Sequence, residues 1–391
     1  MSEPPKDTHD RRVPELDGIR AIAIWMVLLA HSFYGFANQP SAMEGWPTVV
    51  KQVLGHGWLG VDLFFLLSGF LITGILLETK TRPRYFQNFY IRRALRIMPL
   101  YFSVIIVWAI CYSDYLSYFL LSIPFAANLS LLLHIPEPHG PAVLWSLAVE
   151  EHFYLVWPIL VLLSTRVGLF RISAFIFLGT PLFRAVFAAR GMSADLIYML
   201  SWFRFDGLAT GAMIALWASS RFYSAQNGRR IAVAMIVADG LLTLGSLQAG
   251  VMRAHSTAAV ALRYTQTYLF FGALFVLVVS HRGTIWTSPL RWRLMQLTGA
   301  VSYCLYLVHL SIGDAYVYLL SRSGIQVDER FGPTGAVLLR ATVILVVSFG
   351  VALLSRRYLE EPFLALKGRF ASRRPSSAVV NAAPEPEPSG V

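Results

Sequence analysis

The stretch Glu15-Leu-Asp-Gly-Ile-Arg20-Ala-Ile-Ala-Ile-Trp-Met-Val-Leu-Leu-Ala-His31 decides how this chain is read. After Arg20 come ten uncharged, mostly apolar residues, and then a histidine. As a helix, its Arg20 and His31 project within about 20° of each other and lie about 16 Å apart along the axis. One helix face therefore carries a cation near a membrane surface and an imidazole at depth. Ionisable groups inside a bilayer are costly, which makes both candidates for function. The segment is too long and too charged at its start for a cleaved signal peptide, and no A-x-A-like site follows it. It reads as an uncleaved first span.

Composition extends this reading to the whole chain. Of its 391 residues, 56% are hydrophobic and 14% charged, against about 25% charged in soluble domains. The mean hydropathy is +0.56. The formal net charge of +11 does not indicate nucleic-acid binding, because the basic residues sit in short loops between apolar runs. The two cysteines, Cys111 and Cys304, both fall in apolar runs, which argues against a disulfide or a Cys-rich zinc site.

A helical span needs roughly 17–25 mostly apolar residues. Ten stretches qualify: 16–37, 58–77, 97–113, 146–163, 172–189, 202–218, 231–250, 260–280, 296–320 and 334–355. Segment 114–145 is ambiguous, since Pro124 and Asn128 break its apolar run and Pro136-Glu-Pro138-His-Gly-Pro141 follows. Charge decides the matter. With a cytoplasmic N-terminus and 114–145 not crossing, 24 of the 33 Lys and Arg fall on the cytoplasmic side. A crossing at 114–145 would invert every later loop and erase that bias. The expected architecture is an all-α polytopic membrane protein of about ten transmembrane helices, with both termini cytoplasmic and 114–145 external or re-entrant. A cytoplasmic tail at 1–15 precedes a membrane domain at 16–370. Residues 371–391, rich in Pro, Ser, Ala and Glu, read as a disordered cytoplasmic tail.

Several ionisable residues lie inside these spans. His31 either hydrogen-bonds a neighbouring helix or acts as a general base, a role that suits a neutral buried imidazole. Asp62, in Gly60-Val-Asp62-Leu-Phe-Phe-Leu-Leu-Ser68-Gly69-Phe70, enters from the same outer side and orients that imidazole, pairs with a cation, or marks the helix start. Arg93 and Arg96 are i,i+3 neighbours, so two guanidinium forks share one face; they suit a phosphate ligand or serve as a topology anchor. In Trp145-Ser146-Leu-Ala-Val-Glu150-Glu151-His152-Phe-Tyr154, Ser146 and Glu150 share a face, while Glu151 and His152 point elsewhere. Arg204 and Asp206 either pair with each other or line a polar cavity, and His309 supports packing or the cavity wall. Glu360 and Glu361 read as a solvated helix end. No Walker loop, G-x-G-x-x-G after a strand or H-E-x-x-H is present, which argues against ATP hydrolysis, dehydrogenase chemistry and zinc-protease chemistry.

Taken together, these motifs resemble the membrane-bound acyltransferase-3 family, the inner-membrane O-acyltransferases. The resemblance rests on Leu16-Asp17-Gly18-Ile19-Arg20 with His31, the Gly60–Phe70 run, Arg93-x-x-Arg96 and Trp145–Tyr154. Arg204-Phe-Asp206-Gly-Leu, Ser302-Tyr-Cys-Leu-Tyr306-Leu-Val-His309 and Glu361-Pro362-Phe363 extend it over most of the chain. Departures occur at Val149, His152, Val308 and Leu310. The resemblance implies a ten-span fold in a bacterial inner membrane. It implies transfer of an acyl group, most often acetyl from acetyl-CoA, to a hydroxyl of a sugar, polysaccharide or glycosylated small molecule. Lipopolysaccharide and exopolysaccharide are among the family's acceptors. The expected form is a single-domain member without the C-terminal esterase-like domain of larger relatives.

On this expectation His31 is the base, and Asp62 or Glu150 orients it. Arg20, Arg93 and Arg96 hold the phosphates of acyl-CoA, a co-substrate rather than a resident cofactor. Ser146, Arg204, Asp206 and His309 line the substrate space, and no metal is expected. The residues leave open whether an acyl-histidine forms. A transporter or flippase using the buried charges as a proton relay is the alternative.

Overall fold

The computed structural model describes residues 13–33, 46–248 and 257–366. The expected tails at 1–15 and 371–391 lie outside the described residues except for 13–15, as do the expected span ends 34–37 and 249–250. The helices in chain order are α1 (Pro14–Phe33), α2 (Thr48–Gly55), α3 (Leu59–Thr79), α4 (Tyr85–Cys111), α5 (Leu116–Ser122), α6 (Leu144–Leu163) and α7 (Arg166–Ala189). They continue with α8 (Ala194–Met199), α9 (Phe205–Ala218), α10 (Ala225–Gln248), α11 (Thr257–Ser280), α12 (Arg293–Ser323), α13 (Val327–Ser355) and α14 (Glu361–Ala365). Among the described residues, nine helices are long and apolar enough to cross a membrane.

The tenth expected span, 202–218, appears as the 14-residue α9. At about 1.5 Å per residue it is near 21 Å long, short of the ~30 Å hydrocarbon core. It needs no lipid contact, because ten of its residues are buried. Small residues let it press onto α3. A Cβ on Gly69 would lie 2.0 Å from the Leu208 carbonyl oxygen, and one on Gly211 would lie 2.0 Å from that of Leu66. Only hydrogen fits at either point, so the two backbones meet directly, as small residues allow between membrane helices.

Prolines inside helices free carbonyls that the bundle satisfies in other ways. Pro158 of α6 leaves the turn at Tyr154 and Leu155 short of donors, and the Tyr90 hydroxyl from α4 donates to Leu155 O at 3.0 Å and Tyr154 O at 3.4 Å. In α13 the backbone breaks at Gly332 (φ 70°) just before Pro333. The continuous apolar helix therefore starts where the hydropathy pattern places it, at 334.

Segment 114–145 does not cross. It folds into single turns and the short α5, with Phe125 and His134 at φ 58° and 54°. Phe125 stacks on Tyr101 of α4, with ring centroids 4.3 Å apart. The Asn128 amide donates to Ser201 Oγ at 2.9 Å. The segment thus packs into the outer end of the bundle, in keeping with an external or re-entrant piece.

Candidate active site

Helices α1, α3, α4, α6 and α12 enclose a cavity with about 820 Å³ of atom-free space, its open mouth included. Its inner end carries Arg20, Arg93 and Arg96. Arg20 donates to Asp17 Oδ1 at 2.6 Å one turn earlier on α1. Arg96 feels the charges of Arg20, Arg93 and Arg356. Several guanidiniums converging on one mouth repel one another and are compensated best by a polyanion. Glu360, expected at a solvated helix end, is buried and reaches this cluster electrostatically.

Deeper in, α4 and α6 interlock. The Arg93 guanidinium lies 3.9 Å above the Tyr154 ring, and its Nη2 is 3.6 Å from Glu150 Oε2. Glu150 also accepts hydrogen bonds from Ser68 Oγ (3.1 Å) and the Tyr154 hydroxyl. Towards the outer end Ser146 Oγ and the Tyr306 hydroxyl, both in the cavity lining, meet at 2.6 Å.

His31 is not part of this lining. It sits half-buried near the outer end of α1, with Nδ1 3.0 Å from Nε2 of His309 on α12. His309 is buried and lies one turn beyond Tyr306, with ring centroids 6.0 Å apart. The expected carboxylate beside His31 is elsewhere. Glu150 is held by Arg93, Ser68 and Tyr154. Asp62, fully buried, receives the Arg204 guanidinium and the Tyr268 hydroxyl (2.6 Å) on the same oxygen. The ring partner of His31 is therefore an imidazole.

Arg204 and Asp206, read as a possible pair or as cavity lining, are neither. Their side chains leave α9 and its preceding turn in different directions. Arg204 goes to Asp62 of α3, whereas Asp206 meets Arg184 of α7 at 2.8 Å. Arg184 also donates to the carbonyls of Phe203 (2.8 Å) and Ala261 (3.0 Å) and to Thr265 Oγ1 (2.7 Å). Arg204 Nε and Nη1 find no acceptor, and the guanidinium lies 3.9 Å over the Tyr264 ring instead. All four charged side chains are fully buried. They bolt α3, α7, α9 and α11 together and lie outside the cavity lining. Of the residues expected to line substrate space, Ser146 lines this cavity, while His309 pairs with His31.

The outer segment adds a residue that the sequence did not flag. His139, just ahead of α6, places Nδ1 2.7 Å from Asp314 Oδ1 of α12, and the Tyr112 hydroxyl donates to Asp314 Oδ2 at 2.9 Å. This ties the segment down beside the histidine pair, close enough for His139 to act electrostatically on His31. The hydrogen bond to Asp314 holds the His139 pKa above its ordinary value of 6.5, against the opposing effect of burial. A raised folded-state value means the contact stabilises fully below about pH 6.5 and fades as pH rises through the raised pKa. Melting temperature in detergent is therefore expected to fall from pH 6 to pH 8 by more in the wild type than in His139→Ala. Equal slopes would remove the contact from the stability balance. Nothing in a Pro-rich loop marks His139 in sequence. Arg184 likewise reads as an outer helix-end charge until its partners come into view.

Among the described residues, no group of three His, Cys, Asp or Glu is placed to hold a metal. Comparison with known proteins gives a consistent picture. Residues 13–357 match the model of a family described as an acyltransferase domain. The putative peptidoglycan O-acetyltransferase YrhL of Bacillus subtilis is 26% identical over 409 aligned positions, covering 94% of this chain and 57% of that protein. The peptidoglycan O-acetyltransferase OatA of Listeria monocytogenes is 26% identical, covering 90% of this chain and 55% of its own length. A putative O-acetyltransferase of Staphylococcus aureus is 30% identical over 197 positions. The chain thus spans a little over half the length of the first two. No solved structure matches it.

Proposed function

Because the chain belongs to this acyltransferase family, we propose that it moves an acyl group, acetyl foremost, from acyl-CoA to a carbohydrate hydroxyl in a bacterial cytoplasmic membrane. One observation carries the reading: a cavity leads from three arginines at the inner end to within one turn of a histidine pair at the outer end. The phosphates of acyl-CoA rest on Arg20, Arg93 and Arg96, and the pantetheine arm runs up the cavity. When the Ser146–Tyr306 contact opens, the thioester reaches His31. The acceptor hydroxyl gives its proton to His31 as its oxygen bonds to the acyl carbon. The C–S bond then breaks, and the proton passes to the departing thiolate. A polysaccharide acceptor is favoured by the similarity to peptidoglycan O-acetyltransferases.

The test is purified protein in lipid vesicles with radiolabelled acetyl-CoA and peptidoglycan glycan fragments. Base-labile label on the glycan is expected. Absence of thioester consumption, with solute flux instead, would favour the transporter reading. Hydrogen bonds to charged groups contribute about 1.5–3 kcal/mol, so Arg96→Ala is expected to raise KM for acetyl-CoA roughly 10- to 100-fold. An unchanged KM would reduce Arg96 to a topology anchor.

A further inference from the structure

The histidine pair can be assigned proton by proton. His309 Nδ1 lies 2.8 Å from the Tyr306 carbonyl oxygen and 3.1 Å from that of Leu305. Carbonyl oxygens only accept, so Nδ1 carries hydrogen. His309 is 1% exposed, and among the described residues no carboxylate bonds to it. A charge there would be uncompensated, so the ring is neutral and Nε2 holds a lone pair. Nε2 faces His31 Nδ1 at 3.0 Å, so His31 Nδ1 is the donor and His31 Nε2 is left without a proton; the Val27 carbonyl, one turn back on α1, is a second acceptor beside the His31 ring.

We infer that His309 is the positioning residue of the reaction: it fixes His31 in the Nδ1–H tautomer and so presents Nε2 as the proton acceptor. This rests on the acyl-transfer reading. His309 thus stands where a triad places its carboxylate. As the acceptor O–H proton moves to His31 Nε2, the new positive charge strengthens the Nδ1–H bond to His309. The charge does not move on to His309, because that ring is 1% exposed and among the described residues no carboxylate bonds to it. The proton stays on Nε2 until the thiolate sulfur takes it, and both rings return to their starting state.

The charged and titratable groups around His31 come from three elements. His309 approaches from α12. His139, tied to Asp314, approaches from the outer segment. From α13, Arg340 donates to the Ser32 and Phe33 carbonyls at 3.3 and 3.5 Å, next to the end of α1.

Ring 15N signals of the full-length protein in vesicles, with the nine histidines labelled, test the assignment. The His31 signals are identified by their loss in His31→Asn. Protonated Nδ1 and unprotonated Nε2 are expected on His31 in the wild type and in His309→Gln, whose amide oxygen can accept the same hydrogen bond. A mixture of tautomers is expected in His309→Leu. With acetyl-CoA as donor, His309→Leu is expected to lower kcat roughly 10- to 100-fold with KM unchanged. That is less than the ~10⁴ lost with a triad carboxylate, since imidazole is the weaker acceptor. His309→Gln is expected to recover most of it. The opposite tautomer in the wild type, or one His31 tautomer in all three proteins, overturns the inference. The predicted tautomers together with a fully active His31→Ala overturn the acyl-transfer role of His31 and leave the assignment standing.

Discussion

Alanine at His31 is expected to lower acyl transfer by about 10²–10⁴-fold, the usual contribution of a general base. Insertion and folding should be nearly untouched. The side chain is half-buried at the end of α1, and its ring partner keeps its hydrogen bonds to Tyr306 and Leu305. The defect should lie in kcat, because Arg20, one of the arginines proposed to hold the donor, lies about 16 Å away at the other end of α1. Arg96→Ala should show the reverse pattern, with KM raised and kcat retained. Membranes carrying equal amounts of the two variants, assayed over a range of acetyl-CoA concentrations, separate these outcomes. Wild-type turnover in His31→Ala would end the proposed mechanism.

The second large effect concerns stability. Leucine at Asp62 alone, or at Arg204 alone, is expected to cost about 3–5 kcal/mol, because each leaves a fully buried charge without its counter-ion. In Asp62→Leu the Tyr268 hydroxyl also loses its acceptor. Replacing both residues by leucine removes the stranded charge, and the double variant should recover much of the loss. The comparison needs melting temperatures in detergent and the folded fraction on size exclusion. A double variant no better than the worse single one would show that the pair's value lies in its hydrogen bonds to the surrounding tyrosines rather than in charge balance.

Sequence and structure agree where local physics decides and part where packing does. The spans follow from hydropathy, which depends on neighbouring residues only. The non-crossing of 114–145 was legible because charge in every later loop reports on it. Side-chain partners were not. Asp62 and Arg204 are 142 positions apart, and His31 and His309 are 278 apart. Which carboxylate meets which cation depends on how helices rotate against one another, and a single sequence carries little of that. A carboxylate was expected beside His31 because chemistry of this type commonly uses one. A second imidazole fills the place because α12 passes α1 at that height. Arg184 had no signal beyond its type, yet it anchors three helices.

The Ser146–Tyr306 contact in the cavity lining has a consequence for the cell as well as for the chemistry. A polar channel reaching from the cytoplasm to the outer histidines would conduct protons and dissipate the membrane potential. On the proposed mechanism that contact separates the cavity from the outer histidines, and each catalytic cycle has to breach it. Tyr306→Ala would therefore be tested as sensibly for leakiness as for lost turnover. An enzyme of this design has to be watertight between turnovers.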